Sequence, residues 1–168
     1  MASDAPASGI VIPSAALLEH WQGHRRVTRR VIQAFPEDQL FRFSIGGMRP
    51  FSGMALEMIS MASAGIRGLA TRQWTMVSAL DHHSKAPAPT TQEQLLSRWD
   101  AVTGEIDSLW PQLPPGRFEE IDKAFGEWEG PVYGLFLYWI DNEIHHRGQG
   151  YVYLRSLGIE PPAFYERS

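Results

Sequence analysis

The sequence of 168 residues contains no cysteine. This absence excludes disulfides, Cys-ligated zinc, iron–sulfur clusters and a cysteine nucleophile. A bound metal must therefore take its ligands from histidine, carboxylate or amide groups. Any thiol chemistry must use a thiol that a substrate or cofactor brings to the protein.

The sequence also lacks a long apolar run and an excess of basic residues. No stretch reaches the roughly 18 apolar residues of a membrane span, and the start of the chain, with Asp4 and no basic residue, does not resemble a signal peptide. We therefore expect a cytoplasmic protein without a membrane-spanning segment. Lys and Arg total 15 against 19 Asp and Glu, a net charge of −4, which argues against a nucleic-acid-binding protein.

Apolar and aromatic residues, in contrast, are plentiful. Hydrophobic residues make up 43% of the chain, and 8 Phe, 6 Trp and 5 Tyr are among them. A chain of this length can bury about two-thirds of its unfolded surface around one core. We expect a flexible N-terminus over residues 1–12 and a single domain over residues 13–168.

Apolar residues recur at spacings of three and four in four segments, which Gly and Pro residues separate. The third segment begins with overlapping capping boxes, while a connection over residues 114–130 stays undecided between a short helix and an extended stretch. The pattern predicts an all-α four-helix bundle, and the long link between its second and third helices permits a crossover. The predicted helices run from Ser14 to Phe35, from Pro50 to Leu69, from Thr90 to Leu109 and from Pro131 to Leu157.

Polar residues interrupt two of the apolar stripes. Asn142 and His146 lie four residues apart, so their side chains stack on the inward face of the fourth helix. Buried amides and imidazoles need partners, since each unsatisfied group costs about 1–3 kcal/mol, and spacing alone favours a hydrogen-bond network over a metal site. Glu57 stands beside the methionine stripe of the second helix. It either reaches water at the edge of that stripe or is buried and paired.

Three other polar groups have ordinary explanations. His20 and His24 form a second i, i+4 pair, a spacing that suits a transition metal but also arises by chance. The basic run over residues 25–30 is expected to be a solvated helix face with ion pairs rather than a phosphate or nucleic-acid contact. His82 and His83 fall in a polar loop and are expected to be solvated.

The chain resembles the DinB/YfiT-like family of metal-dependent four-helix-bundle proteins. The resemblance lies in the closing helix over Asn142–Gln149 and Tyr151–Arg155 and in the tail over Gly158–Pro162, and the run Arg67–Trp74 also resembles the second helix of the family. It implies a DinB-like bundle with a crossover connection, often a homodimer, that carries a divalent metal on three histidines. One histidine would come from the second helix and two from a His-x-x-x-His pair in the last helix.

This chain departs from that pattern at two of the three positions. His146 matches the second histidine of the pair, but Asn142 stands at the first, and Glu57 falls where the second-helix histidine is expected. The resemblance therefore implies a divalent-metal site of Glu57, Asn142 and His146, with zinc or nickel as the ion. A neutral amide is a poor ligand for these ions, so the site is altered. His145 points about 100° away from His146 and is not expected to be a ligand.

Two functions follow from the resemblance. In the first, the protein is a metal-dependent hydrolase or a bacillithiol-type thiol S-transferase, in which the metal lowers the pKa of a substrate thiol and the thiolate attacks a small electrophile. In the second, it is a non-catalytic, stress-associated bundle or small-molecule binder whose metal site has decayed. Both predict a homodimer, and neither has a nucleic acid or a membrane as partner.

Overall fold

The computed structural model describes residues 12–74 and 87–168. Residues 1–11 of the predicted flexible N-terminus, and the predicted solvated pair His82 and His83, lie outside the described residues. In the described ranges the predicted all-α fold is confirmed, with the addition of one small antiparallel hairpin. The helices are α1 (Ser14–Ala34), α2 (Glu37–Arg42), α3 (Phe51–Thr71), α4 (Gln92–Leu109) and α5 (Val132–Ser156), and the strands are β1 (Ile121–Ala124) and β2 (Trp128–Pro131).

The four long helices α1, α3, α4 and α5 form a bundle. Helices α1 and α3 each pack on both α4 and α5. Helices α1 and α3 therefore lie diagonally across the bundle, as do α4 and α5. Helices α3 and α4 lie side by side and run in the same direction, because Phe51 at the start of α3 and Gln92 at the start of α4 both contact Phe35 just beyond the end of α1. The end of α3 and the start of α4 therefore lie at opposite ends of the bundle, which confirms the predicted crossover between them. None of the helices in the described ranges combines the length and apolar character of a membrane span.

The predicted helix ends depend on residues that satisfy the terminal backbone groups. Thr91 caps α4, since its hydroxyl oxygen accepts a hydrogen bond from the Gln94 backbone N–H at 3.2 Å. After the last turn of α5, Gly158 adopts a φ of 76°, and the Ile159 N–H donates to the Leu154 carbonyl at 2.9 Å. This pattern is the glycine-dependent stop that the sequence predicted for α5.

The undecided connection before α5 contains both kinds of structure. A 3-10 turn over Arg117–Glu119 is followed by the β1–β2 hairpin. Arg117 is 1% exposed, and its guanidinium donates to the carbonyl oxygens of Leu69 at 2.9 Å and Gly68 at 3.1 Å. These carbonyls lie in the last turn of α3, where a cation is favourable. Arg117 therefore fastens the hairpin to the end of α3.

Two glycines allow α3 and α5 to approach closely. A Cβ atom added at Gly65 of α3 would lie 2.6 Å from the Trp139 ring of α5, and one added at Gly150 of α5 would lie 2.4 Å from the Phe51 ring of α3. Real Cβ atoms do not come so near a ring carbon, so both contacts require glycine. Since Phe51 faces Gly150 and Gly65 faces Trp139, the two helices run antiparallel.

The predicted solvated face over residues 25–30 is wrong for Arg25. Its side chain is fully buried, with the guanidinium 4.0 Å from the centre of the Trp99 ring and one nitrogen donating to the Trp99 carbonyl at 3.0 Å. Arg29 does follow the prediction, because it forms a partly exposed ion pair with Asp100 at 2.7 Å. Sequence spacing placed Arg25 beside the apolar stripe, but α4 packs over that side of α1 and covers it.

Candidate functional site

The structure brings Glu57, Asn142 and His146 together between α3 and α5. The Glu57 carboxylate oxygen Oε1 accepts a hydrogen bond from the Asn142 amide nitrogen at 3.1 Å and lies 3.0 Å from Nε2 of His146. Gly65 on α3 and Gly150 on α5 lie on either side of this group and allow the two helices to approach each other closely. The three residues form what we call the polar centre, with the carboxylate as its hub.

The second carboxylate oxygen of Glu57 is paired with Arg49. Its guanidinium forms an ion pair with Oε2, and both side chains keep part of their surface in water, with 39% of Arg49 and 29% of Glu57 exposed. Burial alone would raise the pKa of Glu57, but the hydrogen bonds from Arg49, Asn142 and His146 outweigh it and lower that pKa to about 2. The polar centre therefore contains an ionised carboxylate with donors on both oxygens.

The His146 ring is oriented by a contact on its other nitrogen. Nδ1 lies 2.7 Å from the Gln149 side-chain oxygen, which turns Nε2 toward Glu57. Asn142 is less completely satisfied, because its amide oxygen is buried and has no hydrogen-bond partner within the described part of the chain. His145, in contrast, is exposed to solvent, in agreement with its predicted direction.

The family resemblance implies a divalent metal, and the donors of the polar centre do not fit one as they are arranged. In the ranges that the structure describes, no three His, Asp or Glu side chains come close enough together to hold an ion. The three predicted ligands supply one carboxylate, one imidazole and a neutral amide, whose nitrogen rather than oxygen faces the carboxylate. The positive charge that this carboxylate needs already comes from Arg49.

The second histidine pair does not form a metal site either. Nε2 of His24 lies 3.2 Å from Nε2 of His20, while Nδ1 of His24 lies 3.0 Å from an Arg147 guanidinium nitrogen. Arginine can only donate, so Nδ1 of His24 accepts and Nε2 carries the proton. Burial and the nearby Arg147 lower the pKa of His24 to about 3. This neutral imidazole has no lone pair left to offer a metal at Nε2.

His24 belongs to a buried charge network on the opposite side of α5. Thr28 donates to Glu143 at 2.6 Å, and the guanidinium groups of Arg25 and Arg147 each approach the same carboxylate at 3.9 Å. Arg147 also donates to the His24 carbonyl at 3.2 Å. Glu143 and Arg147 follow Asn142 and His146 directly in sequence, so the network fixes α5 on α1 while the polar centre fixes it on α3.

An apolar groove adjoins the polar centre. Its volume is about 370 Å³, and it lies between α3, α5 and the hairpin. Met61 is one helical turn from Glu57, and Tyr138 is one turn from Asn142, so the groove begins where the polar centre ends. The groove is lined by Met61, Ala124, Phe125, Trp128, Gly134, Leu135, Tyr138 and Trp139.

The hairpin turn positions two of the aromatic walls. The loop between the strands has three residues, and its first two have left-handed backbones, with a φ of 56° at Phe125 and 74° at Gly126. They form the centre of a tight turn that the Glu127 N–H closes by donating to the Ala124 carbonyl at 3.1 Å. A bulky residue rarely adopts this conformation. The Phe125 ring packs edge-on against Trp128, with 6.0 Å between ring centres, and Trp128 is 57% exposed. The turn therefore places Phe125 and the exposed Trp128 side by side at the edge of the groove.

Sequence reasoning missed Arg49, Gln149 and the groove. Arg49 precedes α3 in an irregular segment, where no periodicity predicts the direction of a side chain. Gln149 lies three residues after His146, and this i, i+3 spacing on a helix was the signal for their contact. The groove needs the hairpin, which the sequence left undecided.

Comparison with known proteins supports the resemblance. The model of the DinB family matches residues 9–168. Among solved structures, a DinB-like protein from Bacillus cereus ATCC 10987 aligns with a TM-score of 0.70 and 18% identity over 90% of this chain and 97% of its own. A DinB-like protein from Bacillus subtilis aligns with a TM-score of 0.71 and 16% identity, over 90% of this chain and 99% of its own.

A DinB-family member from Exiguobacterium sibiricum 255-15 gives a TM-score of 0.67 and 22% identity, over 89% of this chain and 95% of its own. At these identities the structural likeness bears on the fold alone. No curated protein matches the sequence.

Proposed function

The chain belongs to the DinB family, and from that premise we propose that it binds a small amphipathic molecule and does so without a metal ion. The ligand's apolar body occupies the groove, and its polar end meets the polar centre. This is the non-catalytic alternative that the altered metal-site residues suggested.

The observation that carries the proposal is the junction between groove and polar centre. Small-molecule sites are typically concave and apolar, with a few polar groups that fix orientation, and range from about 300 to 1,000 Å³. The groove lies in that range at about 370 Å³. Glu57 and Asn142 each stand one helical turn from a residue that lines it, Met61 and Tyr138, so one ligand can touch both regions.

The lining indicates a flat ligand that carries a hydrogen-bond donor. Four aromatic side chains face the groove, and aromatic walls favour a planar aromatic body. The polar centre has one acceptor without a partner in the described residues, the buried amide oxygen of Asn142, which lies one helical turn from Tyr138 of the lining. A hydroxyl or amine at one end of the ligand would donate to this amide oxygen.

Calorimetric titration with 2-naphthol tests this proposal, because the probe combines a flat aromatic body with one hydroxyl donor. Gly134 lines the groove, and a Cβ atom there would meet only Pro131 at 3.6 Å, an ordinary contact. Gly134→Leu therefore fills the groove without disturbing the bundle. Gly104→Leu is the matched control, since Gly104 is an exposed glycine on α4 with open space around its Cβ position.

We expect saturable binding to the wild type and to Gly104→Leu, and loss of binding in Gly134→Leu. The methyl ether of 2-naphthol has no donor, so it should bind more weakly than 2-naphthol by about tenfold, the value of one hydrogen bond to a buried acceptor. Equal binding to all three proteins would place the probe elsewhere. Absence of binding to the wild type would refute the groove as a site for this class of ligand.

The second candidate is the metal-dependent hydrolase or bacillithiol-type S-transferase that the family resemblance implies. One observation favours it: the contact between Nδ1 of His146 and Gln149 at 2.7 Å is the type of outer hydrogen bond that orients metal-binding histidines. In this case Glu57 and His146 would hold the ion, and Arg49 would have to leave the carboxylate. Transfer of a bacillithiol-type thiol to monobromobimane, dependent on added zinc or nickel and absent in His146→Ala, would establish this function instead.

A further inference from the structure

Arg49 reaches the polar centre along a path that the first turn of α3 leaves open. A Cβ atom added at Gly53 would lie 3.3 Å from Cδ and 3.7 Å from Cγ of Arg49. The aliphatic part of Arg49 therefore lies over Gly53, and its guanidinium pairs with Glu57, eight residues farther along the chain. A larger residue at position 53 would press on this stem.

The backbone of Arg49 is also held in place. The Tyr153 hydroxyl, which comes from α5, donates to the Arg49 carbonyl at 3.1 Å. The Tyr153 side chain is itself fully buried. Pro50 follows directly and fixes the start of α3. Arg49 is thus positioned at its carbonyl, along its stem and at its head, although much of its side chain is exposed.

The guanidinium takes the electrostatic role of a metal without offering a coordination site. It places a positive charge and hydrogen-bond donors on Oε2 of Glu57, while Asn142 and His146 occupy Oε1. Arginine keeps its charge throughout the range in which proteins are stable. A divalent ion at the same carboxylate would meet like charge from Arg49 and would have to displace donors from both oxygens.

We infer that Arg49 is the resident cation of the polar centre and that it excludes divalent metal ions from Glu57, Asn142 and His146. This inference rests on the proposed metal-free site and names the residue responsible for it. It separates two causes of a lost metal site: the poor ligand at position 142, and a competing cation at position 49.

Zinc titration by calorimetry distinguishes these causes in four proteins. They are the wild type, Asn142→His, the double variant Asn142→His/Arg49→Met and the double variant Asn142→His/Arg49→Lys. Methionine keeps an unbranched side chain and removes the charge, whereas lysine keeps the charge. Cobalt binding, followed by its visible absorption, gives a second readout that does not depend on activity, and circular dichroism verifies that each variant is folded.

We expect no saturable zinc binding to the wild type and only weak binding to Asn142→His. The methionine double variant should bind zinc at least about tenfold more tightly than Asn142→His, because the like-charge repulsion is gone, and the lysine double variant should match Asn142→His. If the methionine double variant binds zinc no more tightly than Asn142→His, or if the lysine double variant binds as tightly as the methionine one, the charge of Arg49 does not exclude the metal. Titration of Arg49→Met with 2-naphthol tests the groove separately, so failure of one proposal is distinguishable from failure of the other.

Discussion

Nε2 of His146 lies 3.0 Å from the Oε1 atom of Glu57, although 89 positions separate the two residues in sequence. The contact exists because α3 and α5 approach closely at two glycines, Gly65 and Gly150. The polar centre therefore depends on the close packing of α3 and α5. Any substitution that moves the two helices apart should weaken both the packing and the Glu57–His146 contact.

Gly150→Ala should destabilise the protein by about 1–3 kcal/mol, since its methyl group would overlap the Phe51 ring. Gly148→Ala is the matched control two residues away on the same helix, where the Cβ position is open. It should stabilise the protein by about 0.5–1 kcal/mol through helix propensity. Urea unfolding of both variants measures the difference, and equal stabilities would show that the α3–α5 approach is looser than described.

Glu143→Gln should cost about 3–5 kcal/mol, because it leaves the buried guanidinium groups of Arg25 and Arg147 without a counter-charge. Glu19→Gln removes an exposed partner of Arg26 and should change the free energy of unfolding by no more than about 1 kcal/mol. Denaturant unfolding of the two variants compares a buried charge with a surface one. A small effect at Glu143 would mean that water reaches the network.

Acid should destabilise the protein through His24 before most carboxylates titrate. Burial and Arg147 lower the pKa of His24 to about 3, from 6.5 in the unfolded chain. Below pH 6.5 the unfolded state binds a proton that the folded state does not. The free energy of unfolding therefore decreases as the pH is lowered, by up to about 1.4 kcal/mol per pH unit. His20 shifts in the same direction.

The test compares wild type with His24→Asn between pH 7 and pH 5. Asparagine keeps an acceptor for Arg147 but does not titrate. We expect a flatter pH dependence of unfolding in the variant. Parallel curves would show that His24 does not account for the loss of stability.

Three exposed apolar residues on one side of α5 support the expected homodimer. Tyr133, Leu137 and Ile144 are 54%, 41% and 40% exposed, and their spacing of four and seven places them in one row. Analytical ultracentrifugation should give a dimer for the wild type and a monomer for Leu137→Lys. A monomeric wild type of 18.9 kDa, or a dimer unaffected by the substitution, would contradict this assignment of the interface.

The helices and their ends could be predicted from the sequence because their causes are local. Helical spacing, the Thr91 cap and Gly158 act within one or two turns of the chain. The position of Asn142 and His146 on one face follows from the same rule. Their approach to Glu57 was expected from the family resemblance, since spacing within α5 says nothing about its neighbour.

What escaped prediction depends on tertiary contacts. Arg25 looks solvated in sequence, yet α4 covers it and Trp99 stacks on it. Arg49 lies outside any helix, and its path over Gly53 is visible only once α3 is placed. The groove needs the β1–β2 hairpin, whose turn places Phe125 in a backbone conformation that its residue type disfavours.

The metal content of the purified protein tests the central claim most directly. The chain would be produced with zinc and nickel in the medium, purified without chelators and measured by elemental analysis, with His146→Ala in parallel. If Arg49 is the cation of the polar centre, neither the wild type nor His146→Ala should contain stoichiometric metal. One zinc or nickel ion per wild-type chain, lost in His146→Ala, would contradict the metal-free account and favour the metal-dependent enzyme.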